Sequence, residues 1–252
     1  MRQVLLRRTV ASFFVMALLT SSAGVVAAQT RLKPGMNVFS LRDDVEIGRR
    51  SAAQIERQYR TYNNARVSRI GRQLAARSAI PNLPWRFRVI DRGDANAFAL
   101  PGGYIYVTSG MLRRMRNDSE LAGVLAHEIT HVTLRHGTNQ ASKAMLAQMP
   151  LQILGSRLGG GLVGNLAQLG LSFGLNSLFL KYSRSAETQA DVGAVQLMRR
   201  AGYNPNGLVS FMQTLGNRGG GFFSDHPSPS NRIGRIQQEI AATGGRGRFR
   251  RR

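Results

Sequence analysis

The chain has 252 residues, a formal charge of +22 from 35 lysines and arginines against 13 acids, and no cysteine. That length suffices for one well-buried domain or two small ones, and the missing cysteines exclude disulfide staples and a lipid anchor on an acylated cysteine. Apart from the tail 246–252, the basic residues are neither gathered on one helix nor interleaved with stacking aromatics. This argues against nucleic acid and for an anionic membrane surface or envelope polymer as the partner of the charge.

Arg2, Arg7 and Arg8 open the chain, an apolar run follows over 10–19, and Val26-Ala27-Ala28 fits the small-residue rule for signal-peptide cleavage. Residues 1–28 are therefore expected to be a signal peptide. The alternative is a retained anchor, for which the run is short and softens into Ser and Gly. Cleavage after Ala28 takes three arginines and no acid from +22, leaving +19. An exported chain without disulfides must rest on its core or on a bound metal, and a periplasm fits best.

An extended piece over 30–41 precedes a helix over 43–76. Ile55, Tyr59 and Tyr62, then Val67, Ile70 and Leu74, recur at three- and four-residue spacing, with Asn63-Asn64 marking a break. Pro81 and Pro84 punctuate a turn region. Three strands follow: 85–90 alternates apolar and charged residues, 97–100 is short, and 104–108 is rich in aromatic and β-branched residues. Pro101-Gly102-Gly103 reads as a tight connection between the last two. Asn117 with Glu120 three residues on is a capping-box pattern, opening a helix through Leu121, Val124 and Leu125. Residues 144–180 are apolar and Gly-rich, with Arg157 the only charge. Further helices are expected over 185–200, 205–215 and 231–242, and 244–252 reads as a basic, disordered tail.

The helix opened by Asn117 carries His127-Glu128-Ile129-Thr130-His131. Histidines four apart project from one helix face and can bind one zinc ion at about 2.0–2.1 Å each. Glu128 lies about 100° round the helix, where it can take a proton from water without ligating. This is the mechanical content of H-E-x-x-H. The bland reading, two ordinary histidines beside an exposed Glu, conflicts with the apolar run around them, since buried histidines need partners. His136 falls off the ligand face and reads as structural or as a support behind a ligand. A third ligand is expected from Glu187 or Asp191, four apart on one helical face. One can bind metal while the other holds a ligand histidine by its second ring nitrogen. Spacing does not rank them.

Residues 96–107, 120–132 and 183–191, together with Gly202-Tyr203-Asn204-Pro205 and His226-Pro227, resemble in order the gluzincin metallopeptidases of the Ste24, HtpX and BepA type. The resemblance spans about 43–240 and lies nearest the periplasmic BepA-like peptidase domain, without its helical-repeat domain. It implies an α+β, mostly helical zincin fold, with a small mixed sheet packed on the helix of the motif, over residues 29–243. It implies one Zn²⁺ per chain on His127, His131 and Glu187, with Glu128 as general base and Asp191 as the acid behind a ligand, sometimes a proton donor. Ala97, Phe98 and Ala99 would form an edge strand that binds extended peptide by backbone pairing. His226 has three readings: a latch on the open metal position, an oxyanion donor, or a structural loop residue. The membrane spans of Ste24 and HtpX are missing unless part of 144–180 enters lipid, and an amphipathic cover over the site is the preferred reading there. The implied activity is hydrolysis of unfolded or unassembled envelope proteins. A latched zinc protein acting as a chaperone, and an envelope-surface adaptor using the Arg tail, are the competing readings.

Overall fold

Capping side chains set where the helices begin. Ser40 accepts from the Asp43 N–H while the Asp43 carboxylate takes the Ser40 N–H, a complete capping box that starts α1 (Leu41–Gln58). The helix expected over 43–76 is in fact two. It stops at Tyr59, β1 (Thr61–Tyr62) intervenes, and the Asn64 side chain accepts from Val67 N–H to open α2 (Ala65–Ala75). Asn competes for backbone hydrogen bonds and favours a cap over a helix interior. Tyr59 and Tyr62 therefore leave the helical face that their spacing suggests, and each is 38% exposed.

The chain is described, as a computed structural model, over residues 30–148, 182–216, 222, 226 and 230–244. The expected signal peptide, most of the apolar segment 144–180, the glycines 219–221 and the tail beyond 244 lie outside the described residues.

Strands β2 (Arg86–Ile90), β3 (Ala97–Leu100) and β4 (Tyr104–Thr108) form with β1 a mixed sheet of order β1-β2-β4-β3. β2 and β4 run parallel, Arg86 opposite Tyr104 and Ile90 opposite Thr108, while β3 and β4 pair antiparallel from Ala97–Val107 to Leu100–Tyr104. The antiparallel pair is joined by a tight turn over Pro101–Gly103, in which Gly102 and Gly103 have φ of 73° and 102°. A side chain at Gly102 would stand 2.5 Å from the Val45 Cα, so glycine lets this turn press against α1. Among the described residues β3 is on the sheet edge.

α3 (Ser109–Arg114) leads to α4 (Asp118–Thr133), whose first turn is capped by Asn117 accepting from Glu120 N–H. The Glu120 carboxylate turns to the Arg116 N–H and guanidinium, so only half of the expected capping box is made. Every residue of α4 from Glu120 to Thr133 is buried, which makes it the central helix of the molecule. Around it stand the sheet and α2 on one side. On the other are α6 (Arg184–Arg200) and α7 (Asn206–Gly216), with α8 (Ser230–Thr243) behind them. α5 (His136–Gln148) continues from α4 after Arg135, which adopts φ 56° and bonds Asp44 and the Phe39 carbonyl. Leu121, Leu125 and Ile129 from α4 share one core with Ile70, Ile105, Val107, Phe211 and Ile236. The fold is α+β, mostly helical, with its small mixed sheet against α4. Among the described residues no helix is long and apolar enough to cross a membrane.

α4 and α6 approach closely at Gly193, where a Cβ would lie 2.4 Å from the Thr130 Cγ2. Thr130 is β-branched, buried, and tied by its hydroxyl to the Ala126 carbonyl, so it has little room to yield. Gly193→Val is expected to cost about 2–3 kcal/mol by overpacking, read as a lower urea midpoint at unchanged slope. A stability equal to the parent would show that the helix pair is not set by this contact.

Candidate metal centre

α4 presents His127 and His131 on one face with their Nε2 atoms 3.1 Å apart, both at most 1% exposed. Ser183 caps α6 by accepting from Ala186 N–H, which places the buried Glu187 in the first turn. Glu187 Oε2 lies 3.6 Å from His127 Nε2, and its Oε1 lies 3.5 Å from His131 Nε2. His226 completes the group, its Nδ1 2.8 Å from Glu187 Oε1 and 3.4 Å from His127 Nε2. One ligand atom from each of these four residues lies within 4.8 Å of all the others.

This cluster fits a metal on its own chemistry. Three imidazole nitrogens and the Glu187 carboxylate converge on one another, a donor set that a shared cation satisfies together. Tetrahedral ligands at about 2.0–2.1 Å from an ion stand roughly 3.3–3.4 Å apart, and most of the separations here, 3.1 to 3.6 Å, bracket that edge. A nitrogen and oxygen set of this kind suits a borderline divalent ion.

A second ring of groups holds the first. Asp191 Oδ1 lies 3.1 Å from His127 Nδ1, and Arg232 donates to both Asp191 oxygens at 2.8 and 2.7 Å. Another Arg232 nitrogen stands 3.1 Å from Glu187 Oε2. Behind His131, His136 offers its Nδ1 3.0 Å from the His131 Nδ1. With Nε2 of His131 given to a metal, its proton stays on Nδ1 and donates to His136, which burial keeps neutral by lowering its pKa to about 4. Tyr182 stacks on His131 with centroids 4.0 Å apart, and Phe222, 1% exposed, stacks on His226 at 4.5 Å.

Burial dominates the electrostatics. It pushes Asp191 upward, but Arg232 and then His127 bring it below the usual carboxylate range. Glu187 is likewise desolvated, and hydrogen bonds from His127 and His226 bring it well below its ordinary value. Burial pulls His127 down, yet Asp191 and Glu187 together raise it to about 9. Glu128 differs from the other acids: it is 1% exposed, neither oxygen has a hydrogen-bond partner, and burial raises its pKa. Its Oε1 faces His226 Nε2 at 3.6 Å.

The structure thus gathers His127, Glu128, His131, Glu187, Asp191 and His226 at one centre. Ala97, Phe98 and Ala99 stand on the sheet edge beside α4 and outside that cluster. Sequence reasoning missed Arg232, Tyr182 and Phe222. Arg232 is one arginine among many, on a helix far along the chain, and nothing local distinguishes it.

A H-E-x-x-H helix crossed by a second helix that supplies a buried carboxylate is a metallopeptidase type of centre. Residues 61–240 match Peptidase family M48, and the chain belongs to that family, carrying its metallopeptidase domain. Mitochondrial metalloendopeptidase OMA1 of Schizosaccharomyces pombe is 33% identical over 178 residues, covering 68% of this chain and 51% of that protein. Metalloprotease YcaL of Escherichia coli is 31% identical over 187 residues, 70% of either chain. The beta-barrel assembly-enhancing protease of Escherichia coli is 29% identical over 180 residues, 66% of this chain and 37% of that one. The chain therefore spans about half the length of the first relative and less of the last.

A metal must displace the proton that His127 holds below pH 9. Calorimetry near pH 7 should read release of about one proton per metal bound, with affinity falling about tenfold per pH unit toward pH 6. Asp191→Asn, which leaves His127 without its anionic partner, is expected to weaken metal binding about 10–100-fold. Proton-neutral binding, or an unchanged affinity in the variant, would contradict these roles.

Proposed function

We propose that the chain is a zinc-dependent endopeptidase that cuts unfolded or unassembled proteins of the cell envelope, with Glu128 as its general base. The observation that carries this reading is the buried Glu128 carboxylate, without any hydrogen-bond partner, beside a four-donor cluster. Zinc held by His127, His131 and Glu187 would supply Lewis acidity to an attacking water and to the scissile carbonyl. Glu128 takes the proton from the water and returns it to the leaving amine, and its raised pKa suits both transfers. Asp191, kept ionised by Arg232, orients His127 through Nδ1. The strand at Ala97, Phe98 and Ala99 pairs with β4 and ends the sheet among the described residues, where an extended peptide would add by backbone pairing.

His226 in this reading is a latch: its Nδ1 sits among the ligand atoms, where it would fill the position that a catalytic site keeps open. Export to a periplasm is supported by the leader-like residues 1–28, and an envelope substrate by the likeness to a beta-barrel assembly-enhancing protease. Attraction to anionic membrane is supported by the charge alone.

The test is degradation of an unfolded protein by the zinc-loaded mature chain, beside Glu128→Gln and His226→Ala. Glu128→Gln is expected to lower turnover about 10²–10⁴-fold at unchanged zinc content, and His226→Ala to raise it. Equal turnover by wild type and Glu128→Gln would exclude this hydrolytic mechanism. A fall in His226→Ala would exclude the latch and assign His226 to oxyanion support. If no form cuts but the wild type prevents aggregation, the chain is a binding protein stabilised by its metal.

A further inference from the structure

A cavity of about 440 Å³ lies beside α4, and none of the ligand-cluster residues lines it. Four stretches distant in sequence wall it: the N-terminal strap through Arg31, the connection after α2 through Ser78, α4 through Thr133, and α6 through Arg200. No lining residue is acidic.

The two arginines there differ from those that hold the rest of the fold. Arg232 is met by Asp191, Arg135 by Asp44 and Arg116 by Glu120. Arg200, an exposed residue, has one hydrogen bond among the described residues, from its Nε to the Arg77 carbonyl at 3.2 Å, which leaves both terminal nitrogens over. Desolvation lowers its pKa, and no carboxylate opposes that shift. Glu239, which reaches the rim of this region, accepts from Thr30 and Gln196, and its charge acts on Arg199 instead. Ser78 Oγ accepts from Ile80 N–H at 3.3 Å and keeps its own hydrogen. The hydroxyls of Thr130 and Thr133 already donate to backbone carbonyls, and the Gln196 amide nitrogen donates to Thr30 and Glu239. Among the described residues, the unused donors are therefore the guanidiniums of two exposed arginines and one hydroxyl, on a cavity whose other walls mix apolar residues with polar groups already bonded. Guanidinium forks match phosphate oxygens in shape and charge.

We propose that this cavity is a phosphate-binding site, formed by Arg31, Arg200 and Ser78, for a free phosphate or the headgroup of an anionic phospholipid. The bound group clamps the N-terminal strap onto the helix pair of the metal centre. Thr130 lies between Glu128 and His131 on α4, and Gly193 lies two residues beyond Asp191 on α6. The proposal does not depend on the peptidase reading.

The test uses the zinc-loaded mature chain in two arms at fixed ionic strength, one titrated with inorganic phosphate and one with a short-chain phosphatidylglycerol below its micelle concentration. Thermal unfolding is expected to shift upward by roughly 3–5 °C at ten times the Kd. The shift should disappear in Arg200→Gln and weaken in Arg31→Gln and Ser78→Ala, and survive in Arg86→Gln, which removes a positive charge elsewhere. Zinc content and hydrolysis without ligand should stay at the parent level in Arg200→Gln. A response to phosphate assigns the free ion, and a response to the lipid alone assigns the headgroup. No shift with either probe, or a shift that Arg200→Gln retains, overturns the site.

Discussion

The close approach of α4 and α6 is the constraint on which the rest depends. His127 and His131 need a carboxylate from another element, and a carboxylate on a helix reaches only a few ångströms from its backbone. Gly193 gives up a side chain so that Thr130 can lie against the α6 backbone. That contact is on the flank opposite Glu187 and Asp191, so it sets the separation without entering the site. Gly123 does the same toward α7, where a Cβ would meet the Leu208 Cα at 2.9 Å. The central helix is thus fitted on two sides by glycines, and its apolar residues fill what remains.

That packing buries charge, and burial explains the inner and outer rings together. Asp191 remains ionised against its own desolvation because Arg232 and then His127 bond it, and Glu187 because His127 and His226 bond it; an Arg232 nitrogen also stands 3.1 Å from Glu187. One arginine against two ionised acids leaves a net negative pocket, which must take up a cation or a proton. Without metal the proton goes to His127, raised to about 9. A divalent ion bound at His127 would displace it. Glu128 has no such partner, and its proton affinity is set by burial. Separating the pKa values of neighbouring acids in this way is how one site contains both a fixed anion and a group free to exchange protons.

What was legible in the sequence was local. A four-residue spacing on one helix, a capping asparagine, an alternating strand and a Pro-Gly-Gly turn each describe a few neighbouring residues, and the structure places α4, β2, β3 and β4 close to where those patterns fall. The helix over 43–76 misled only in the width of its break: Asn63-Asn64 marks it, but α1 already stops at Tyr59 and β1 precedes the Asn64 cap. Glu187 and Asp191 could be paired by spacing but not ranked, since rank depends on which one reaches the histidines and which one meets Arg232. Arg232, Phe222 and Tyr182 had no local pattern to betray them, because their contacts join elements that the sequence does not connect.

His226 shows why position and role are different questions. Its ring is held by stacking on Phe222, and its backbone N–H donates to the Phe222 carbonyl at 3.0 Å. Phe222 is itself fixed, in the core by its side chain and to the Ala95 carbonyl by its N–H at 2.8 Å. Ala95 lies just before the edge strand, so the histidine that faces the ligands and the strand proposed to bind peptide share one anchor. In the latched reading, a peptide that shifted β3 would act on Ala95, and through Phe222 on His226. The imidazole is held at Glu187 by a single 2.8 Å contact and at His127 by a longer one of 3.4 Å. Withdrawing it costs those contacts and the stacking, while water takes over the vacated polar atoms. The latched reading therefore gives substrate binding at the edge a route to the metal position that runs through two backbone hydrogen bonds and does not need the metal.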